Sequence, residues 1–268
     1  RAYSAGEAQV VWTRLVADLE TPVSAMLKLS AGRANCFLLE SVEGGAVRGR
    51  YSIIGIEPDL IFRAFGGKAE VNRNPANSPE AFEPMSEPSL EALRRIIGDS
   101  RIHLPDELPP MSAGVFGYLG YDMVRQMEEL GPANPDALGL PDAILIRPTA
   151  IIVFDSIRDE ITIVSPVRPE SSISAELAHG RAVDRLTAAV DALDSPLDKS
   201  AEAIDVDLEV AVVSNTPRER YLDMVRKAKD YIAAGDIFQV VLSQRFEAPF
   251  ALPPFALYRA LRRVNPSP

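Results

Sequence analysis

A chain of 268 residues with 47% apolar and 25% charged side chains is long enough to bury a hydrophobic core, as one large domain or two small ones. Its net charge of −10 argues against a nucleic-acid or anionic-membrane partner, and its longest basic cluster, Arg259, Arg262 and Arg263, is small. One cysteine, Cys36, permits no internal disulfide, and His103 and His179 make no Cys/His metal cluster, so any metal here needs carboxylate ligands. No apolar run approaches the roughly 18 residues of a membrane span, and RAYSAGEAQVVW has no apolar leader core, so a soluble, cytoplasmic protein is expected.

The first predicted element is a helix over 6–19, with Val10, Val11, Leu15, Val16 and Leu19 on one face and Thr21-Pro22 as its stop. Short segments rich in strand formers follow at 23–30, 36–40, 50–56, 60–65 and 68–73, the last two joined at Gly66-Gly67 as a hairpin, so antiparallel pairing is expected. The segment CFLLES ends on Glu40 and Ser41. It is either a strand reaching the surface or a strand end holding something polar, and the local pattern leaves both open. Pro75, Pro79, Pro84 and Pro88 predict a surface loop over 74–88 that stays out of the sheet ladder.

A helix over 89–98 and a turn around Pro105, Pro109 and Pro110 lead to SAGVFGYLGYD, residues 112–122. Its glycines fit neither the phosphate-loop nor the dinucleotide pattern, and close packing in a sheet is their expected use. A second hairpin joins 143–155 to 160–167 around Ser156 to Asp159, an amphipathic helix runs from about Ser174 to Leu193, and residues 194–207 are acidic and poor in apolar side chains. The boundaries drawn are therefore a first domain over 1–195, a linker over 196–209 and a second domain starting at 210 and running to 268.

In NTPRERYLDMVRKAKDYIAAGD, Thr216 as N-cap, Pro217 at the first helical position and Glu219 three residues after the cap predict a capping box, and Gly235 ends the helix. A strand is predicted over 237–246. One of its faces carries Ile237, Gln239, Val241, Ser243 and Arg245, which suits either a half-polar site wall or a solvated surface. A last helix is expected over 254–263.

The segments FLLESVEGGAVRGRYSIIG (37–55), GYLGYD (117–122), AGDIFQVVLSQRF (234–246) and LYRALRRVNPSP (257–268), in this order, resemble the large subunits (component I) of anthranilate synthases, among the chorismate-utilising enzymes. Members of that family are about twice as long. The chain is similar to their N-terminal half, begins on Arg1 and breaks off after NPSP, so a fragment inactive by itself is expected. The resemblance implies conversion of chorismate and ammonia to anthranilate and pyruvate, with Mg2+ held by residues of the C-terminal half and ammonia delivered from glutamine by an amidotransferase subunit. It further implies that Leu39, Glu40, Ser41 and Pro268, with Arg50 as the nearest cation, form a pocket where L-tryptophan binds and inhibits: Glu40 pairs with the ammonium, and Leu38, Leu39 and Pro268 supply apolar walls. It places Gln239 on the active-site wall, where water-adding relatives carry a Lys base. A carboxamide takes up no proton at neutral pH, which suits ammonia as nucleophile. Aminodeoxychorismate synthase and a stand-alone amino-acid-binding regulator are the alternatives. The expected fold is α+β, an antiparallel sandwich of the strands in 23–73 and 113–167 with helices outside.

Overall fold

Apolar and β-branched residues dominate Tyr51–Ile56, Leu60–Phe62, Ala143–Ile146 and Ala150–Phe154, and these runs fall in the two longest strands, Val47–Phe65 and Ala143–Asp155, of the computed structural model, which describes residues 2–43, 47–197 and 211–265. In chain order the strands of the first part are β1 (Gln9–Val16), β2 (Phe37–Glu43), β3 (Val47–Phe65), β4 (Lys68–Asn72), β5 (Glu83–Pro84), β6 (Phe116–Leu119), β7 (Ala143–Asp155) and β8 (Glu160–Val167). The helices among them are α1 (Pro22–Ser30), α2 (Ser89–Asp99) and α3 (Ala175–Asp194). The second part holds β9 (Val213–Ser214), α4 (Arg218–Ala234), β10 (Phe246–Glu247) and α5 (Pro254–Val264). By internal contacts the chain divides into two compact units, residues 1–198 with 264–268, and residues 199–263. The predicted linker and the predicted start of a second domain at 210 fall largely outside the described residues.

In the first unit all eight strands join one antiparallel sheet, in the order β1-β8-β7-β3-β4-β5, with β2 added to β3 and β6 to β7. The two groups of strands expected to face each other as a sandwich are hydrogen-bonded neighbours instead, because β3 and β7 pair from Tyr51↔Asp155 to Ala64↔Ala143. A register shift between Pro58 and Leu60 marks an irregularity in this long pair, and β2 and β4 follow one another along β3, so the sheet curls rather than splitting into layers. Residues predicted as two strands, 50–56 and 60–65, are thus one strand carried through a bulge.

Two helix and strand assignments exchange places at the N-terminus. Residues 9–16 pair with 167–160 as β1, an edge strand in which Val10, Val11, Thr13 and Val16 are β-branched. Thr21-Pro22 does not stop a helix but starts one. The Thr21 hydroxyl accepts from the Ser24 amide (3.1 Å) while the Ser24 hydroxyl accepts from the Thr21 amide (2.9 Å), and Pro22 sits in the first turn of α1, which buries Ala25, Met26 and Leu29.

Packing on the sheet is set by strand alternation. α2 buries Ala92, Leu93 and Ile96 against Leu60, Phe62, Ala64, Ala69 and Val71. α3 buries Ala178 and Ala182 near Val167, and its Arg185 guanidinium donates to the Ser165 hydroxyl (2.8 Å), which marks the face of β8 that α3 covers. The opposite face carries Ile53, Ile151, Val153 and Phe116, with the Phe37 ring 4.8 Å from that of Phe116. Two glycines admit these close approaches: a Cβ at Gly55 would lie 2.3 Å from the Phe37 ring, and one at Gly117 would lie 2.0 Å from the Ile144 carbonyl. Pro84 does join the ladder, but only as a two-residue edge pairing with Glu70, where its missing N–H costs no bond.

The second unit departs most from expectation. α4 forms and ends on Gly235 in the left-handed conformation (φ 81°), yet its N-cap is Pro217 and no side chain caps it, so the capping box is not made. Thr216 instead donates its hydroxyl to Asn215 Oδ1 (2.9 Å). Of the strand predicted over 237–246 only Phe246 enters a ladder, opposite Ser214. Residues 237–245 have no neighbouring strand among the described residues, and a strand without a partner has no ladder to hold it; Phe238 is 93% exposed.

Candidate functional site

The candidate ligand-binding residues are placed by the antiparallel pair β2–β3, in which Phe37, Leu38, Leu39 and Glu40 lie opposite Gly55, Ile54, Ile53 and Ser52. Alternation sends Leu39 to the face of Ile53 and Phe37, at the margin of the Phe116 cluster, where it remains 43% exposed. Glu40 leaves the other face with Leu38, Ser52 and Ile54. That face continues through Ile152 to Ile163 and Ser165, the residues under α3. Leu38, not Leu39, therefore shares a side of the sheet with Glu40.

Ser41 sits where the β2–β3 register shifts, between Glu40 and Val42, and its exposed side chain packs directly over Gly49: a Cβ there would lie 2.5 Å from Ser41 Cβ and Oγ. A bulge of this kind breaks the regular alternation of side chains, and it falls inside β2 at the hydroxyl next to Glu40.

Arg50 begins the apolar half of β3, and its guanidinium is already engaged. Nε and Nη2 donate to the two carboxylate oxygens of Asp155 at 2.9 and 2.6 Å, and the group stacks over the Tyr51 ring at 4.8 Å. Asp155 also accepts from the amides of Ile157 and Arg158 in the β7–β8 turn. The Arg50 bonds, followed by those turn amides, hold the Asp155 carboxyl below the ordinary carboxylate range, and Arg50 is correspondingly raised. Both line a cleft of about 350 Å3 together with Arg14, Glu107, Pro110 and Thr162. A ligand carboxylate meeting Arg50 would have to share it with Asp155. That partner was missed in the sequence, although the signal was there: Asp155 ends a buried apolar run on a carboxylate, as Glu40 ends the run Phe37–Leu39, although β2 itself continues to Glu43.

Gln239 lies in the second unit, exposed, in the irregular segment after α4. Pro268 lies outside the described residues, as do Pro266 and Ser267. Among the described residues no three His, Cys, Asp or Glu side chains come together as a metal site, and no helix is long and apolar enough to cross a membrane.

Comparison with known proteins places this geometry in a family context. Residues 34–268 match the family model described as chorismate binding enzyme. A protein named anthranilate synthase component 1 from Cereibacter sphaeroides is 49% identical over 100% of this chain and 54% of its own length. One of the same name from Thermus thermophilus is 41% identical over 94% of this chain and 50% of its own. The crystal structure of anthranilate synthase component I from Streptococcus pneumoniae superimposes with a TM-score of 0.64 at 27% identity, over 95% of this chain and 53% of that one. The chain spans about half the length of the curated relatives it matches.

Proposed function

Because this chain belongs to the chorismate-binding enzyme family, we propose that it forms part of the large subunit of an anthranilate synthase, a carbon–oxygen lyase of tryptophan biosynthesis that turns chorismate and ammonia into anthranilate and pyruvate. The observation that carries this reading is likeness along the whole chain, from the first strands to α5, to proteins of that name. The reading brings with it a glutamine amidotransferase subunit as the source of ammonia, and a cytoplasmic setting.

Gln239 contributes by what it does not do. A neutral carboxamide neither abstracts a proton from water nor repels an incoming amine, so it favours ammonia, which is nucleophilic without a base. Magnesium belongs to the proposal as a Lewis acid for the departing hydroxyl. Among the described residues no group of His, Cys, Asp or Glu side chains fits it.

The bulged middle of β2, around Glu40 and Ser41, is proposed as the regulatory half-site for tryptophan. Glu40 takes the ammonium, Ser41 on its bulge hydrogen-bonds the polar head, and Leu38 on Glu40's face supplies apolar contact, with Leu39 contributing through its backbone. Arg50 acts there through its Asp155 pair.

The test uses the protein extended to the length of its relatives, with chorismate, ammonium and Mg2+, following anthranilate by fluorescence. Anthranilate is expected from that protein and only background from the 268-residue chain. Aminodeoxychorismate as the product would overturn the assignment. In the same protein Glu40→Ala should raise the inhibitory tryptophan concentration by about tenfold or more, because losing the partner of a buried charge costs about 2–5 kcal/mol and each 1.4 kcal/mol is about tenfold. Undiminished inhibition would remove Glu40 from the pocket and leave the catalytic assignment standing.

A further inference from the structure

Around the bulge of β3 the molecule gathers positive charge, although the chain as a whole carries −10. Arg33, Arg73 and Arg185 line a cleft of about 760 Å3 with Asn35, Asn74, Glu57 and Asp59. Two more guanidinium groups stand behind Asp59: Arg147 Nε lies 2.6 Å from Oδ1 and Arg168 Nη1 lies 3.9 Å from Oδ2. Five guanidinium groups thus gather around Glu57 and Asp59, with Asp184 as a further carboxylate acting on Arg185, and both cleft carboxylates are already engaged, since Glu57 pairs with Arg33 at 3.2 Å.

Burial makes this imbalance matter. The Arg168 side chain is 14% exposed, and none of its three nitrogens has a hydrogen-bond partner among the described residues. Burial first, and then Arg147, bring its pKa down to about 10, against the pull of Asp59, and burial likewise lowers Arg185. A buried cation short of counter-charge is costly, and a guanidinium is the side chain best matched to oxyanions. On the rim Arg73 is exposed and has no ion pair among the described residues, and the Asn74 carboxamide oxygen is turned to Asn77 (2.8 Å), which leaves its NH2 as a donor. The cleft backbone is also unusual. Asn35 (φ 56°) and Glu57 (φ 52°) are two of four non-glycine residues with left-handed φ among those described.

We propose that this cleft is a binding site for a small multivalent oxyanion, a phosphate- or polycarboxylate-bearing metabolite, held by Arg33, Arg73 and Arg185 with the amides of Asn35 and Asn74. The anion supplies the negative charge that Glu57 and Asp59 provide only in part. The cleft lies within the first unit and shares no residue with the β2 site of Glu40, and it stands whether or not the chain belongs to an anthranilate synthase.

The experiment titrates the 268-residue chain with inorganic phosphate, pyrophosphate and citrate at constant ionic strength, with chloride as reference, by calorimetry and thermal shift. Saturable binding beyond chloride is expected for at least one of the three. Phosphate or pyrophosphate alone assigns the phosphate class, and citrate alone the polycarboxylate class. Arg73→Ala, which removes an exposed side chain without an ion pair, should weaken that binding about tenfold or more. Arg101→Ala, an equal charge change in a different cleft, should alter it by less than about twofold. Effects no larger than chloride's, or an Arg73→Ala variant that binds as the wild type does, or an equal loss in Arg101→Ala, would overturn the proposal.

Discussion

Asp155 closes β7 with a side chain only 7% exposed and a bidentate bond from Arg50, an arrangement whose cost and benefit depend on pH. Its native pKa lies below the ordinary carboxylate value, so the unfolded chain takes up the proton first as pH falls. The stabilisation from this carboxylate is therefore fully present above about pH 4, the unfolded value, and disappears as pH drops toward the lower native one. Asp155→Asn should lower Tm at neutral pH and flatten the fall in Tm between about pH 5 and pH 3; parallel curves for variant and wild type would show that Asp155 titrates alike in both states. At this scale sequence reading found Glu40, Ser41 and Arg50 as polar residues ending or beginning apolar strands. It could not pair Arg50 with Asp155, because the two are 105 residues apart and meet only through the β3–β7 register.

Among the elements, the two N-capping signals exchanged importance. Thr21 makes reciprocal bonds with Ser24 at the start of α1, whereas Thr216 makes none to α4. Thr21→Ala should destabilise the chain by about 1 kcal/mol, and Thr216→Ala should fall within about 0.5 kcal/mol of wild type. Thermal or denaturant melts of the two variants check this, and equal losses would mean that the capping geometry does not decide the difference. Hairpins were legible because their information is local: Gly66-Gly67 joins β3 to β4, and Ser156 to Asp159 joins β7 to β8. The helix expected over 6–19 and the strand expected over 23–30 are replaced by β1 and α1 because short apolar runs fit both periods, and the choice is made by the partner strand β8 in one case and by a cap in the other. The strand expected over 237–246 failed for the complementary reason. Its pattern is that of a strand, but among the described residues no strand forms a ladder with 237–245.

At the scale of the whole molecule the core is unevenly shared. Phe62, Ile54, Ile151, Ile152 and Ile163 are buried at or below 2% exposure in the first unit, while Ala228 is the only buried hydrophobic residue described in the second. Native-state hydrogen exchange should therefore protect the amides of Tyr51–Ala64 and Ala143–Asp155 to near the global unfolding limit and leave 237–245 exchanging rapidly. Comparable protection in both would contradict this account of the second unit. What the sequence by itself determined was whatever rests on neighbours in the chain: the antiparallel α+β character, the hairpins, the helices α2 to α5, the motifs that carry the family likeness, and a strand over the CFLLE run, although that strand continues to Glu43 rather than ending at Glu40. What only the tertiary structure decided was whatever rests on distant partners. One curled sheet replaced two facing ones, Leu39 and Glu40 went to opposite faces, Asp155 took Arg50, and five arginines from separate segments met around Asp59 and Glu57. The physical reason is common to all of these. Periodicity fixes which way a side chain points along its own strand, but the identity of the strand beside it, and hence which charges and surfaces meet, is set by long-range hydrogen-bonded register that no local stretch of sequence contains.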